Sequence, residues 1–123
     1  MYDYFHRTPL DEAFYAEHLK PRMPSVMIDA HAHYNLPVHV TNITPEAIAG
    51  DWALECGLLM SYEDACAYYR TLFPDTGVYQ TALPWPLRDA DTVGNNRYIA
   101  EIAKLPHVRG LMTVRPEFDV SSI

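Results

Sequence analysis

Val26-Met27-Ile28-Asp29-Ala30-His31-Ala32-His33 is the stretch of sequence that decides the fold, because an apolar run here ends in two histidines. Side chains of a regular β-strand alternate between its two faces, so this pattern predicts that Asp29, His31 and His33 share one face. The alternate face, which includes Ile28, is then apolar and can pack beneath helices. Apolar residues on both faces, with polar groups only at the carboxyl end, are typical of a strand in a parallel α/β sheet or barrel.

Two imidazoles presented from one face of a strand can bind a single divalent metal ion. We therefore identify His31 and His33 as candidate metal ligands and expect a divalent cation, zinc in the first instance, as the cofactor. Two histidines do not complete a catalytic zinc site, which has three protein ligands. Asp29 either accepts the second ring N–H of a ligand histidine or hydrogen-bonds the backbone or a neighbouring basic residue.

Length and composition indicate one ordered globular protein. The chain has 123 residues, 49% of them apolar, and a net charge of −7. The acidic balance and the lack of clustered cations argue against nucleic-acid binding. No apolar run approaches the length of a membrane span, and Met1–Arg7 does not resemble a secretion signal. We therefore expect a cytoplasmic protein in which Cys56 and Cys66 are reduced thiols.

The order of predicted elements is helix, strand, two helices, strand, helix, strand. Strands that are separated by helices pair in parallel through right-handed crossovers. The predicted helices are Thr8 to about Leu19, Thr44 to about Cys56, Ser61 to about Phe73 and Asp91 to about Leu105; the predicted strands are Ser25–His31, Val78–Leu83 and Val108–Val114.

The chain resembles the amidohydrolase superfamily, in particular the amidohydrolase-related branch that contains the aminocarboxymuconate-semialdehyde decarboxylases. The resemblance lies in Met27–His33, Asn95–Ala100 and Pro106–Pro116. It implies a metal-dependent (β/α)8 barrel whose site lies at the carboxyl ends of the strands. His31 and His33 match the metal ligands of the first strand, whereas the later histidines and the final aspartate of the family match nothing in this sequence.

A complete barrel of this kind needs about 250 residues. We therefore expect the chain to be the amino-terminal part of a TIM barrel, an α/β fold with about three parallel strands and flanking helices. Residues 1–24 form a leading helical segment, and residues 25–123 supply the first three strands with their helices.

The family resemblance implies a metal-activated water that hydrolyses a C–N or C–O bond, or that assists decarboxylation of a small carboxylic acid. No catalytic acid or base is identified, and the sequence leaves open whether this chain is an enzyme by itself. Tyr34, Trp85 and Arg115 follow the predicted strands and are candidate substrate contacts. Each has a plainer alternative: a loop role for Tyr34, packing under a loop for Trp85 and a surface position for Arg115.

Two other functions compete with this hypothesis. A non-catalytic truncated or split subunit would act by association, as a homo-oligomer or with a missing carboxyl-terminal part. A metal-dependent phosphoesterase or deoxyribonuclease would also begin with His-x-His, but the Thr-Asp-His typical of such enzymes is absent from the sequence. The expected partner is a small-molecule substrate, without nucleic acid or membrane. Unpaired edges of the outer strands predict self-association.

Overall fold

The computed structural model describes residues 6–52 and 59–122. Its α-helices and its strands are numbered separately, each in chain order. They run in the order α1 (Pro9–Phe14), β1 (Val26–His33), α2 (Pro45–Ala49), α3 (Tyr62–Leu72), β2 (Gly77–Leu83), α4 (Thr92–Ile102) and β3 (Val108–Gly110). A π-helical turn, Tyr15–Leu19, continues α1, and short 3-10 turns occupy Lys20–Arg22, Pro37–Val40 and Val120–Ser122.

Local capping explains where the helices begin. The Thr8 and Ser61 side chains each accept a hydrogen bond from the backbone three residues on, and an aspartate at that position bonds back to the cap. Thr44 accepts from the backbone of Ala47, with Pro45 in the first turn. Such reciprocal bonds satisfy backbone donors that have no partner within the helix. The predicted starts of these helices are therefore confirmed.

The described residues form a three-stranded parallel sheet in the order β1-β2-β3. This confirms the predicted α/β character with flanking helices. Strand β3 ends at Gly110, earlier than the predicted Val114. The physical reason is that both backbone groups of Thr113 bond to the side-chain amide of Asn96, so the chain leaves the sheet.

Helices α3 and α4 cover one face of the sheet, and the core lies between them and the strands. On β2, Gln80 and Ala82 point to this face and are buried. Val108 of β3 is also fully buried. The core cluster consists of Ala32, Tyr34, Tyr62, Ala65, Ala82, Ile99, Ile102 and Val108.

The opposite face of the sheet is open among the described residues. Ile28 pairs with Tyr79 across β1 and β2, and their side chains are 70% and 47% exposed. The expectation that Ile28 packs beneath a helix is therefore wrong, because both neighbouring helices lie on the other face.

Two further sequence predictions concern the environment of the chain. Within the described residues no helix is long and apolar enough to cross a membrane. Cys66 carries a free thiol, half-buried against the core. Cys56 lies outside the described residues. The helix that starts at Thr44 ends at Ala49, where the backbone N–H of Gly50 caps it, so the predicted extension to about Cys56 is wrong.

Candidate metal centre

The two histidines at the end of β1 converge. Nε2 of His31 and Nε2 of His33 are 2.8 Å apart, and the two rings meet edge to face with centroids 4.6 Å apart. They lie at the carboxyl end of β1, where ligand and metal sites of parallel α/β folds commonly form. The sequence prediction that these side chains come together is therefore met by the geometry.

Neighbouring groups fix the orientation of the His33 ring. Its Nδ1 lies 3.1 Å from the carbonyl oxygen of Pro84, and its ring centroid is 4.4 Å from that of Trp85, nearly perpendicular to it. A carbonyl oxygen only accepts, so Nδ1 carries the proton and Nε2 of the neutral ring keeps its lone pair. That lone pair accepts a hydrogen bond from Nε2 of His31.

Partial burial keeps His33 neutral. Desolvation lowers its pKa below the ordinary value of 6.5, although the bond to the Pro84 carbonyl works in the opposite direction. The neighbouring His31 contributes a smaller lowering. A neutral imidazole at neutral pH is the form that binds a metal ion.

Asp29 does not share the face of the two histidines, and the prediction that it does is wrong. Asp29 pairs with Gln80, and Ala32 pairs with Ala82. The chain therefore advances by three residues on β1 where it advances by two on β2. This β-bulge carries one extra residue and shifts the alternation of side chains. Asp29 faces the helices, whereas His31 and His33 point to the open face.

The Asp29 carboxylate has two described partners, and neither is an imidazole. Its Oδ1 accepts from the backbone N–H of His31 at 3.0 Å, and its Oδ2 accepts a hydrogen bond from the Tyr69 hydroxyl. Of the two alternatives, the one in which Asp29 hydrogen-bonds the backbone describes this structure. Asp29 does not accept the second ring N–H of either histidine. Burial and the bond to Asp29 raise the pKa of Tyr69, so its hydroxyl remains a donor.

Tyr34 lies in the core, and this corrects its assignment as a substrate contact. It is 1% exposed, and its hydroxyl donates to Oε1 of Gln80. The Gln80 amide in turn lies 3.7 Å from Sγ of Cys66. Sequence reasoning missed the contacts that Tyr69 and Gln80 make. The one available signal was a glutamine within the otherwise apolar strand Val78–Leu83.

Trp85 lies beside His33 and lines an open cavity of about 540 Å³; its role as a substrate contact stays a prediction. Arg115 is not among the residues that line this cavity. Both of its terminal nitrogens donate to backbone carbonyl oxygens of the loop that follows Trp85. The guanidinium thus stabilises this loop, and the structure gives no support to Arg115 as a substrate contact. The other cavity-lining residues include Ile43, Ala47, Asp51, Leu87 and Arg88.

The spacing of the two histidine nitrogens can be compared with that of a zinc site. Zn–N bonds of about 2.0–2.1 Å in a tetrahedral site separate two nitrogens by about 3.3–3.4 Å. The histidine nitrogens, 2.8 Å apart, need to separate by only about half an ångström to reach that spacing. Within residues 6–52 and 59–122, however, no three His, Cys, Asp or Glu side chains are grouped to hold a metal. The histidine pair therefore stands without a third such side chain among the described residues.

Comparisons with protein-family models, with curated proteins and with solved structures gave no match.

Proposed function

We propose that this chain provides two ligands, His31 and His33, of the metal centre of an amidohydrolase-type hydrolase or decarboxylase. The observation that carries the proposal is the convergence of two Nε2 atoms at 2.8 Å, with His33 oriented through its Nδ1 by a backbone carbonyl. Metal-binding histidines ordinarily donate their second ring N–H to such an acceptor. The location at the carboxyl ends of parallel strands supports the same function.

Each residue of the centre has a definable task under this proposal. His31 and His33 would hold the divalent cation, with zinc preferred because imidazole nitrogen suits it. The bound cation would supply a water of lowered pKa and would polarise a substrate carbonyl. Trp85 packs against the His33 ring, restricts its rotation and shields that side of the pair from water. Because Nε2 of His31 donates to His33 in this structure, its proton would have to move to Nδ1 before Nε2 could serve as a ligand.

The proposal includes a larger assembly. We infer that the three parallel strands are the first part of a TIM barrel and that the remaining ligands lie outside the described residues. The substrate would be a small molecule, either hydrolysed at a C–N or C–O bond or decarboxylated. The reduced thiol of Cys66 agrees with a cytoplasmic location.

Metal titration of the full chain tests this function. We expect Zn²⁺ or Co²⁺ to bind with one site per chain or per assembled oligomer. His31→Ala and His33→Ala should each weaken binding by more than the 10–100-fold that a lost supporting contact costs. His18→Ala is the matched control, because this half-exposed histidine lies in the leading helical segment and is paired with Glu17. Wild-type affinity no higher than that of the double variant H31A/H33A would contradict the proposal.

A second candidate, a subunit that acts by association, is favoured by one specific observation. The apolar pair Ile28 and Tyr79 is open to solvent on the sheet face that the helices leave free. Sedimentation over a range of concentrations, with and without Zn²⁺, separates the two candidates. Metal-independent association without metal binding would favour the subunit role.

A further inference from the structure

The bulge in β1 decides which face of the sheet carries the histidine pair. Without it, period-two alternation would place His31 and His33 on the face of Asp29, beneath α3. The observed register inserts the extra residue between Asp29 and Ala32. The imidazoles therefore emerge on the open face, although the spacing Asp-x-His-x-His is unchanged in the sequence.

Two hydrogen bonds of Asp29 hold the chain in this bulged path. Oδ1 accepts from the backbone N–H of His31, two residues on, which fixes the local turn of the strand. Oδ2 accepts from the Tyr69 hydroxyl, which anchors the carboxylate to α3. Tyr69 is partly buried against the core cluster, so its ring position is set by packing. The core thus positions the two histidines through three linked groups: the Tyr69 ring, the Asp29 carboxylate and the backbone of His31.

We propose that Tyr69 and Asp29 are positioning residues that turn His31 and His33 to the open face and hold their Nε2 atoms together. This inference rests on the proposed metal-binding function for its significance, but the positioning itself is a property of the metal-free chain. Neither residue touches a bound metal or substrate in this scheme. Their effect passes through the bulge alone.

The first test uses the metal-free chain and reads the tautomer of each imidazole by ¹⁵N NMR. In the wild type, His33 should show a protonated Nδ1 and an accepting Nε2, as the Pro84 contact requires. Tyr69→Phe and Asp29→Ala should convert His33 to a mixture of tautomers. Asp29→Asn should restore the wild-type signals, because its amide oxygen accepts from His31 and its NH2 group donates to the Tyr69 oxygen once that hydroxyl has turned its own proton away.

Tyr62→Phe is the matched control for the loss of a tyrosine hydroxyl from the same helix. The Tyr62 hydroxyl lies 2.6 Å from Nε2 of His107, away from the histidine pair. This variant should therefore change the His107 signal and leave His31 and His33 unaltered. A general loosening of α3 would disturb all three histidines in both tyrosine variants.

The second test measures Zn²⁺ affinity of the same variants. Tyr69→Phe and Asp29→Ala should bind 10–100-fold more weakly than the wild type, whereas D29N and Y62F should bind as the wild type does. If the wild type binds no Zn²⁺ but the imidazole signals change as expected, the metal function fails and the positioning inference stands. Folded Y69F with wild-type imidazole signals would overturn the inference, as would failure of D29N to restore them. If D29A does not fold, the signals of Y69F and D29N still test the inference.

Discussion

Replacing Ile28 or Ile99 by threonine tests whether the two faces of the sheet differ as described. Both residues are isoleucines in regular elements, but Ile28 is 70% exposed on the open face and Ile99 is 2% exposed in the core. Ile28→Thr keeps the β-branched shape that favours a strand, so propensity contributes little. Ile99 lies in a helix, where isoleucine and threonine also have similar propensities, so burial is the main difference between the two sites.

The expected costs follow from the carbon atoms removed. Isoleucine to threonine exchanges two carbons for one hydroxyl, and each buried carbon contributes about 0.8 kcal/mol. Because less than a third of Ile28 is buried, Ile28→Thr should lower the free energy of unfolding by only about 0.5 kcal/mol. Ile99→Thr loses the full contribution and buries a hydroxyl, so it should cost at least about 2 kcal/mol.

Urea denaturation at several protein concentrations measures both values. If the midpoint shifts while the slope stays constant, the difference is one of native stability. Equal costs for the two variants at the lowest concentration would refute the assignment of an open face. A cost of I28T that grows with concentration would show instead that association covers this face, since binding between copies adds to apparent stability.

Three further predictions concern packing, pH and assembly. Gly110→Ala should cost about 1–3 kcal/mol in thermal or urea unfolding, because its Cβ would lie 3.0 Å from that of Ala103. Gly77→Ala, whose Cβ would have ordinary contacts at 3.6 Å and beyond, should be close to neutral, and an equal loss in both would contradict this packing. Burial lowers the pKa of His33 and His39 in the folded chain, so the unfolded chain binds more protons and stability should be lost as the pH falls below 6.5. A double His33→Gln/His39→Gln variant should flatten that dependence, and an unchanged slope would exclude these two groups as its source. Sedimentation of the wild type at tens of micromolar should show self-association through the open face and the strand edges, which a stable monomer would contradict.

Features set by short-range chemistry were predictable from the sequence. Thr8, Thr44 and Ser61 begin helices because each side chain can satisfy a nearby backbone N–H, and this needs no knowledge of the tertiary structure. The parallel order of strands followed from their separation by helices. The meeting of His31 and His33 followed from their spacing of two, which keeps them on a common face wherever that face points.

Features set by distant partners were not predictable in this way. The end of β3 depends on Asn96, a residue on α4 that bonds both backbone groups of Thr113. The burial of Tyr34 depends on Gln80 from another strand, although Tyr34 directly follows the metal motif. Arg115 likewise bonds to carbonyls more than twenty residues away along the chain, which no local pattern indicates.

The bulge brings two features of the described residues together. It places the histidine pair, which no third His, Cys, Asp or Glu side chain joins, on the same sheet face as the exposed side chains of Ile28 and Tyr79. Any surface that covers those apolar side chains therefore also approaches the imidazoles and can contribute a ligand to them. Under the proposed function, burial of this face and completion of the metal centre are one event, and Zn²⁺ should strengthen association. If wild-type and H31A/H33A chains associate equally well with Zn²⁺ present, burial of this face does not depend on the metal centre, and the coupling is contradicted.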